Sequence, residues 1–188
     1  MDYVFTTVHI SSYVPVPILE IGSFLQDNDI DRVRKLFARE SKDFLQKYFK
    51  KELFFTDVEG KTKDEVLKNL CWKVEQEKGL PETFTASVLK REELTPTDYG
   101  NLVALPHPER AFQERAFVAV AVLKEPIFWF RQKVQVVFLT AIGREEDENL
   151  QQFYEATTDL ILRPADVQNL IRHPDYDRLI QLLRRAEE

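Results

Sequence analysis

Two nearly continuous apolar runs limit the folds that this chain can adopt. They span residues 117–123 and 134–139, and their β-branched and aromatic residues favour strands. A strand that is apolar at almost every position must be covered on both faces, because half of its side chains would otherwise meet water. We therefore expect an α/β fold with three layers, in which a mixed β-sheet lies between helices.

Segments with helical periodicity precede and follow these two runs in the chain. Thr62 and Glu65 form a capping-box pattern before apolar residues at helical spacing, and Gly79 is placed to stop that helix. The other expected elements are helices over 81–93, 147–163, 165–171 and 176–185, a helical face over 41–52, strands over 53–55 and 102–105, and a loop over 95–100. The pattern thus places helices before and after the sheet.

Composition excludes several classes of protein. The 188 residues include only five glycines, which disfavours collagen-like and many-turned all-β folds. The net charge of −6 argues against nucleic-acid binding by this chain, so a protein partner is expected. One cysteine, Cys71, cannot form an intrachain disulfide or a structural zinc site. No apolar stretch is long enough to span a membrane, and no signal peptide is apparent, so we expect a cytoplasmic protein.

The stretch that carries chemistry ends in Pro106, His107 and Pro108. A histidine directly after a short apolar strand and between two prolines lies on restricted backbone at the edge of a sheet. Taken alone, this placement more often belongs to an ordinary loop histidine that caps a strand end, because histidines are common in loops. His9 and His173 are interpreted as structural.

This stretch resembles the active-site motif of enzyme IIA domains of the fructose/mannitol type in the bacterial phosphoenolpyruvate:sugar phosphotransferase system (PTS). That motif has Arg-Glu at a helix end, followed by Ser/Thr-Thr-x-Ile-Gly-Asn-Gly-(Ile/Val)-Ala-(Ile/Leu)-Pro-His. The matching positions here are Arg91, Glu92, Thr97, Gly100, Asn101, Val103, Ala104, Leu105, Pro106 and His107. The similarity extends more weakly over residues 53–183, and it implies an enzyme IIA-like fold.

The resemblance implies roles for individual residues. His107 would accept a phosphoryl group, since a neutral imidazole is nucleophilic at cytosolic pH. Arg91 would hold phosphoryl oxygens with its planar fork, although it can also be read as an ordinary helix-end arginine. Thr97 and backbone amides near Gly100 would supply further donors. Neither a metal nor a cofactor is expected.

Three departures from the motif bear on function. Leu102 replaces the second glycine, and Pro108 follows the histidine where a small residue is usual. Asn149 stands where transport-type members carry a second active-site histidine, and it can donate a hydrogen bond without carrying a proton or charge. It can equally be an ordinary residue at a helix start. These departures resemble the variants fused to sugar-responsive transcription regulators, antiterminators and activators.

The first forty residues resemble the end of the galactitol-type enzyme IIB-like module that precedes IIA domains in such regulators. Strands are expected over 2–8 and 16–21, and a helix from Asp29. We therefore expect residues 1–40 to be a IIB-like remnant and residues 41–188 to be the IIA-like domain. The phosphocysteine loop of a IIB module would lie upstream, and Cys71 is not that residue.

The resulting prediction is a regulatory domain of a sugar-operon regulator or antiterminator, phosphorylated on His107 by HPr or a IIB protein. Other domains of the parent regulator are its expected partners, and a homodimer is compatible with the sequence. The alternative is a free IIA phosphotransferase subunit that passes its phosphoryl group to a IIB during sugar uptake. A third reading is an interaction domain that keeps the fold without being phosphorylated.

Overall fold

The computed structural model describes residues 4–7, 10, 13–16, 18–20, 45–145 and 149–184. The chain divides into two units, Met1–Lys42 and Asp43–Glu188. In the first unit, β1 (Val4–Thr6) pairs in parallel with β2 (Ile18–Glu20). The helix expected from Asp29 lies outside the described residues.

The second unit contains five strands and five helices that the structure bounds fully. The strands are β3 Phe49–Phe55, β4 Asp98–Gly100, β5 Val103–Ala104, β6 Phe117–Phe128 and β7 Lys133–Ala141. The helices are α1 Lys63–Lys78, α2 Thr83–Leu94, α3 Leu150–Leu162, α4 Pro164–Arg172 and α5 Tyr176–Arg184. Residues 45–48 are also helical.

The strands form one mixed sheet in the order β3-β6-β7-β5-β4. β6 and β7 form a long antiparallel pair, β3 runs parallel to β6, and β5 runs parallel to β7. The carboxyl ends of β5 and β7 therefore lie at the same end of the sheet, where β6 begins. We call this end, marked by Ala104, Phe117 and Ala141, the motif edge.

Alternate residues of the central strands face two separate hydrophobic cores. Val118, Val120 and Val122 pack with residues of α3, α4 and α5, whereas Ala119 and Ala121 pack with residues of α1 and α2. This arrangement confirms the predicted three-layer α/β fold with a sheet buried on both faces. Within the described residues, no helix has the length and apolar character needed to cross a membrane.

Local signals predicted helix ends better than strand ends. Thr62 Oγ1 accepts the N–H of Glu65 at 3.3 Å, and Gly79 adopts a left-handed φ of 64°, which confirms the caps of α1. The helical face expected over 41–52 was wrong beyond residue 48, because that segment continues as β3 beside β6. The loop expected over 95–100 contains β4, because its backbone pairs with β5.

Gly143 lies so close to the backbone of the loop that precedes β6 that a side chain cannot fit. A Cβ there would lie 2.2 Å from the Glu114 carbonyl oxygen, whereas a Cβ at Gly79 would meet nothing within 4 Å. We expect Gly143→Ala to lower the free energy of unfolding by about 2–3 kcal/mol, since backbone must move. Gly79→Ala, which strains only a left-handed φ, should lower it by about 1 kcal/mol.

Urea unfolding of both variants followed by circular dichroism tests this comparison. Equal losses of stability would contradict the close backbone approach at Gly143.

Candidate functional site

His107 lies at the motif edge, three residues after β5 ends. Its neighbours Pro106 and Pro108 are buried, while the imidazole is only partly buried. The Pro106 carbonyl accepts the N–H of Thr140 at 3.0 Å, which extends the pairing of β5 with β7. The prolines and this hydrogen bond hold the backbone, and the histidine side chain is left accessible.

The imidazole ring contacts its own strand through one nitrogen. His107 Nδ1 lies 3.3 Å from the Leu105 carbonyl oxygen. A carbonyl oxygen can only accept, so this contact favours the tautomer that carries its proton on Nδ1. In that tautomer, the Nε2 lone pair is available as the nucleophile.

Helix α2 is held against the segment that follows His107. The backbone N–H of Glu109 donates to Ser87 Oγ at 2.9 Å, and Lys90 forms an ion pair with the Glu109 carboxylate at 3.1 Å. Arg91 lies one helical turn after Ser87, so it shares the side of α2 that faces this segment. Its Nη1 donates to the Thr95 carbonyl oxygen at 3.1 Å, which caps the end of the helix.

Thr97 is buried and is bonded to Glu92. Its N–H donates to Glu92 Oε1 at 2.9 Å, and its hydroxyl donates to Glu92 Oε2 at 2.8 Å. The indole N–H of Trp129 also donates to Glu92 Oε1, at 2.7 Å. The hydroxyl that the sequence offered as a donor to a phosphoryl group is therefore already donated inside the protein.

Glu92 makes buried contacts that the sequence pattern did not predict. In the sequence, Glu92 is marked only as a match to the motif. One signal was present, since Phe84, Val88 and Glu92 recur every four residues and form one buried stripe of α2. A charged residue on an otherwise apolar stripe indicates a buried polar contact.

Asp98 fixes the far end of the β6–β7 hairpin to the motif. Its Oδ2 accepts the backbone N–H groups of Arg131 and Gln132 at 2.7 and 2.9 Å. The hairpin is therefore attached to β4 through Asp98 and to α2 through Trp129 and Glu92. Together, the two attachments join β4 to α2, the helix that carries Arg91, through the hairpin.

The turn between β4 and β5 explains the glycine and asparagine of the motif. Gly100, Asn101 and Leu102 have φ angles of 97°, 52° and 65°. Glycine and asparagine adopt such angles readily, whereas leucine is strained by them. Leu102 thus occupies a left-handed conformation at the position where the motif usually has glycine.

Asn149 immediately precedes α3, and its carbonyl accepts the N–H of Phe153 at 3.0 Å. The amide of Asn101 donates to the carbonyl of Ile161 at 2.9 Å, which places the last turn of α3 beside the β4–β5 turn. That turn lies at the end of the sheet opposite the motif edge.

Two further kinds of site, a metal-ligand cluster and a reactive cysteine, have little support among the residues that the structure describes. No group of three or more histidine, cysteine, aspartate or glutamate side chains is arranged to hold a metal ion there. Cys71 lies inside the core between α1 and the sheet, and burial raises the pKa of its thiol, which disfavours the reactive thiolate.

Comparisons with known proteins agree with this geometry. The family model described as "Phosphoenolpyruvate-dependent sugar phosphotransferase system, EIIA 2" matches residues 47–186. The chain is 34% identical over 179 residues to a probable licABCH operon regulator of Bacillus subtilis (strain 168), covering 95% of this chain and 28% of that protein. It is 24% identical over 180 residues to the transcriptional regulator ManR of the same organism, covering 92% of this chain and 28% of that protein. The chain thus spans under a third of these curated relatives.

The fold is also that of solved enzyme IIA structures. The crystal structure of IIA mannitol from Escherichia coli superposes with a TM-score of 0.57 at 18% identity, covering 70% of this chain and 96% of that chain. The nitrogen regulatory protein IIA-Ntr from Neisseria meningitidis gives 0.57 at 20% identity, covering 69% and 91%. The resemblance found in the motif is confirmed, and the chain belongs to the EIIA 2 family of the phosphoenolpyruvate-dependent sugar phosphotransferase system.

Proposed function

We propose that this domain accepts a phosphoryl group on His107 and serves as a phosphorylation-dependent regulatory domain of a sugar-operon transcription regulator. The observation that carries the proposal is the accessible imidazole at the motif edge, whose Nδ1 contacts the Leu105 carbonyl. The regulator context is supported by the two Bacillus subtilis relatives, which are regulators longer than this chain.

The proposed chemistry is a transfer between two protein side chains. His107 Nε2 attacks the phosphorus of a phosphorylated donor, a P–N bond forms, and the bond from phosphorus to the donor side chain breaks. The donor side chain keeps the electron pair of the broken bond. The Nδ1 proton stays on the His107 ring, which carries a positive charge once Nε2 is phosphorylated, and the Leu105 carbonyl remains its acceptor. The phosphorylated ring is thereby oriented by the same contact that orients the free ring.

Arg91 is proposed to hold the phosphoryl oxygens during transfer. Arg91 lies one turn after Ser87, whose hydroxyl accepts the Glu109 N–H, and its guanidinium would exchange its hydrogen bond with the Thr95 carbonyl for bonds with phosphoryl oxygens. Thr97 is proposed to act by holding the motif, since its hydroxyl donates to Glu92. Because the last turn of α3 lies beside the β4–β5 turn, we propose that its N-terminal turn, with Asn149, faces the motif edge, where its N–H groups would favour an anion.

The proposed donors are HPr and a IIB protein. One of the similar structures is a complex of enzyme IIA mannitol with phosphorylated enzyme IIB mannitol from Escherichia coli, in which a IIA domain meets a phosphorylated partner. In this chain, the exposed side chain of Ile142 directly follows β7 at the motif edge and offers apolar area to such a partner. Other domains of the parent regulator are proposed as partners that read the phosphorylation state, and a homodimer is a further proposal.

The first unit is proposed to be the end of a IIB-like module. Its described strands pair in parallel, as in an α/β unit. The second candidate function is a free IIA subunit that passes phosphate to a IIB during sugar uptake. Asn149 favours regulation over transport, because an asparagine cannot exchange a proton with the phosphorylated histidine.

His107 should be the single phosphorylated residue. Incubation with phosphoenolpyruvate, enzyme I and HPr, with a IIB protein added in a parallel reaction, should add one acid-labile phosphoryl group that intact-protein mass spectrometry detects. His107→Ala should abolish the label, while His173→Ala serves as the matched control and should keep it. Equal labelling of the His107→Ala variant would show that the acceptor is elsewhere.

Arg91→Lys should keep the fold and slow phosphorylation of His107. Lysine retains the positive charge but loses the bidentate fork, so we expect a rate lower by about tenfold or more, equivalent to about 1.4 kcal/mol of transition-state stabilisation. Rapid-quench measurements of labelling give the rate, and Arg110→Lys is the control for a nearby arginine. An unchanged rate in folded Arg91→Lys protein would show that Arg91 caps α2 and does not hold the phosphoryl oxygens.

Asn149→His should speed onward transfer of the phosphoryl group to a IIB acceptor. The introduced imidazole can exchange a proton with the site, as Asn149 cannot. The measurement is the decay of phosphorylated protein after a IIB protein is added. Fast transfer by the unmodified protein would favour the transport-subunit function. An unchanged rate in Asn149→His would show that residue 149 takes no part in the transfer.

A further inference from the structure

A chain of hydrogen bonds runs from the buried carboxylate of Glu92 to the imidazole of His107. The Thr97 N–H donates to Glu92 Oε1 at 2.9 Å, and the Leu105 N–H donates to the Thr97 carbonyl oxygen at 3.1 Å. The Leu105 carbonyl oxygen then lies 3.3 Å from His107 Nδ1. A helix and two successive strand segments are thus connected in a fixed order, ending at the reactive ring.

The Glu92 carboxylate is fully enclosed by protein. Its residue is 1% exposed, and it accepts three hydrogen bonds, two from Thr97 and one from the indole of Trp129. Among the ion pairs of the described residues, none involves Glu92. A buried carboxylate without a cation is costly, so its three donors determine where it can lie.

We propose that Glu92 is a positioning residue for phosphoryl transfer at His107, acting through Thr97 and the Leu105 carbonyl. The proposal rests on the phosphoacceptor function of His107. Fixing Glu92 fixes the adjacent Arg91 on α2, and fixing Thr97 fixes the strand that carries the Leu105 carbonyl. The Glu92 carboxylate therefore determines the position of the Arg91 guanidinium and that of the Leu105 carbonyl. That carbonyl in turn selects the Nδ1–H tautomer of His107.

The chain contains a matched control for this arrangement. Glu75 is also buried, and its Oε1 accepts the N–H and the hydroxyl of Thr85 at 2.9 and 2.7 Å. This second glutamate–threonine pair joins α1 to the first turn of α2, whereas Glu92 lies near the last turn of α2. Removing either threonine hydroxyl deprives a buried carboxylate of one donor, but only Thr97 lies on the path to His107.

The decisive comparison is between Thr97→Val and Thr85→Val. We expect both variants to fold with similarly reduced urea midpoints, and only Thr97→Val to slow labelling of His107, by about tenfold or more. Glu92→Gln alone should label His107 at nearly the rate of the unmodified protein. Its amide oxygen can accept the N–H groups of Thr97 and Trp129, and its amide nitrogen can donate to the Thr97 hydroxyl, so all three hydrogen bonds are kept.

A second readout does not depend on phosphorylation. The ¹⁵N chemical shifts of the His107 imidazole, measured where the ring is neutral, should report the Nδ1–H tautomer in the unmodified protein and in Thr85→Val. Thr97→Val should shift the ring toward the other tautomer. Failure of the unmodified protein to accept phosphate would refute the proposed function, while these shifts would still report the positioning role of Glu92.

Two results would overturn the proposal. The first is equal labelling rates and equal His107 shifts in Thr97→Val and Thr85→Val at matched stability. The second is a rate in folded Glu92→Gln as low as that in Thr97→Val, because the charge of Glu92 rather than the geometry that it sets would then matter.

Discussion

Parallel pairing of β5 with β7 is the constraint on which the candidate site depends. β5 has only two residues, Val103 and Ala104, and both are fully buried between the two hydrophobic cores. Because parallel strands end at the same edge of a sheet, this pairing places the segment after β5 beside the segment after β7. The Pro106 carbonyl continues the pairing to Thr140, so the position of His107 is set by the sheet rather than by a free loop.

The short strand β5 gains little stability from its own length, so its position depends on its neighbours. β4 pairs with it on the outer side, and Asp98 and Glu92 attach β4 to the hairpin and to α2 through buried or local hydrogen bonds. Such bonds add directional restraint that apolar packing lacks, since a carboxylate with fixed donors tolerates little displacement. The sheet therefore determines where His107 lies along the end of β5, and these polar contacts determine how β4 and α2 are oriented around it.

Much of the fold could be predicted from the sequence because its signals are local. The apolar runs of β6 and β7 indicate a sheet covered on both faces, and Thr62, Glu65 and Gly79 mark the ends of α1. β4 could not be predicted, since three residues that include Gly100 have no strand period and pair only because β5 lies beside them. β6 extends to Phe128 past Pro126, at the place where its register with β7 shifts, and a proline there conceals the continuation of the strand.

The site was less accessible to sequence reasoning than the fold. Spacing alone could mark His107 and Arg91, but the partners of Glu92 come from Thr97 and from Trp129, which lies 37 residues away. Such a contact depends on how the end of the β6–β7 hairpin packs against α2, which no local residue pattern encodes. Likewise, the use of the Thr97 hydroxyl is set by which acceptor is nearer, and that acceptor is a side chain on the preceding helix.

Two of the three departures from the family motif, Leu102 and Asn149, lie near opposite ends of α3. Leu102 is in the turn whose neighbour Asn101 donates to Ile161 near the end of α3, and Asn149 stands at the start of α3. In the proposed function, a phosphoryl group on His107 brings a charge of about −1.5 to −2, and the positive end of α3 would favour that charge if it faces the motif edge as proposed. In that proposal, Asn149 at the helix start can donate a hydrogen bond to the phosphoryl group but cannot transfer a proton to it. Retention of the phosphoryl group, rather than its rapid transfer, is what the proposed regulatory function requires.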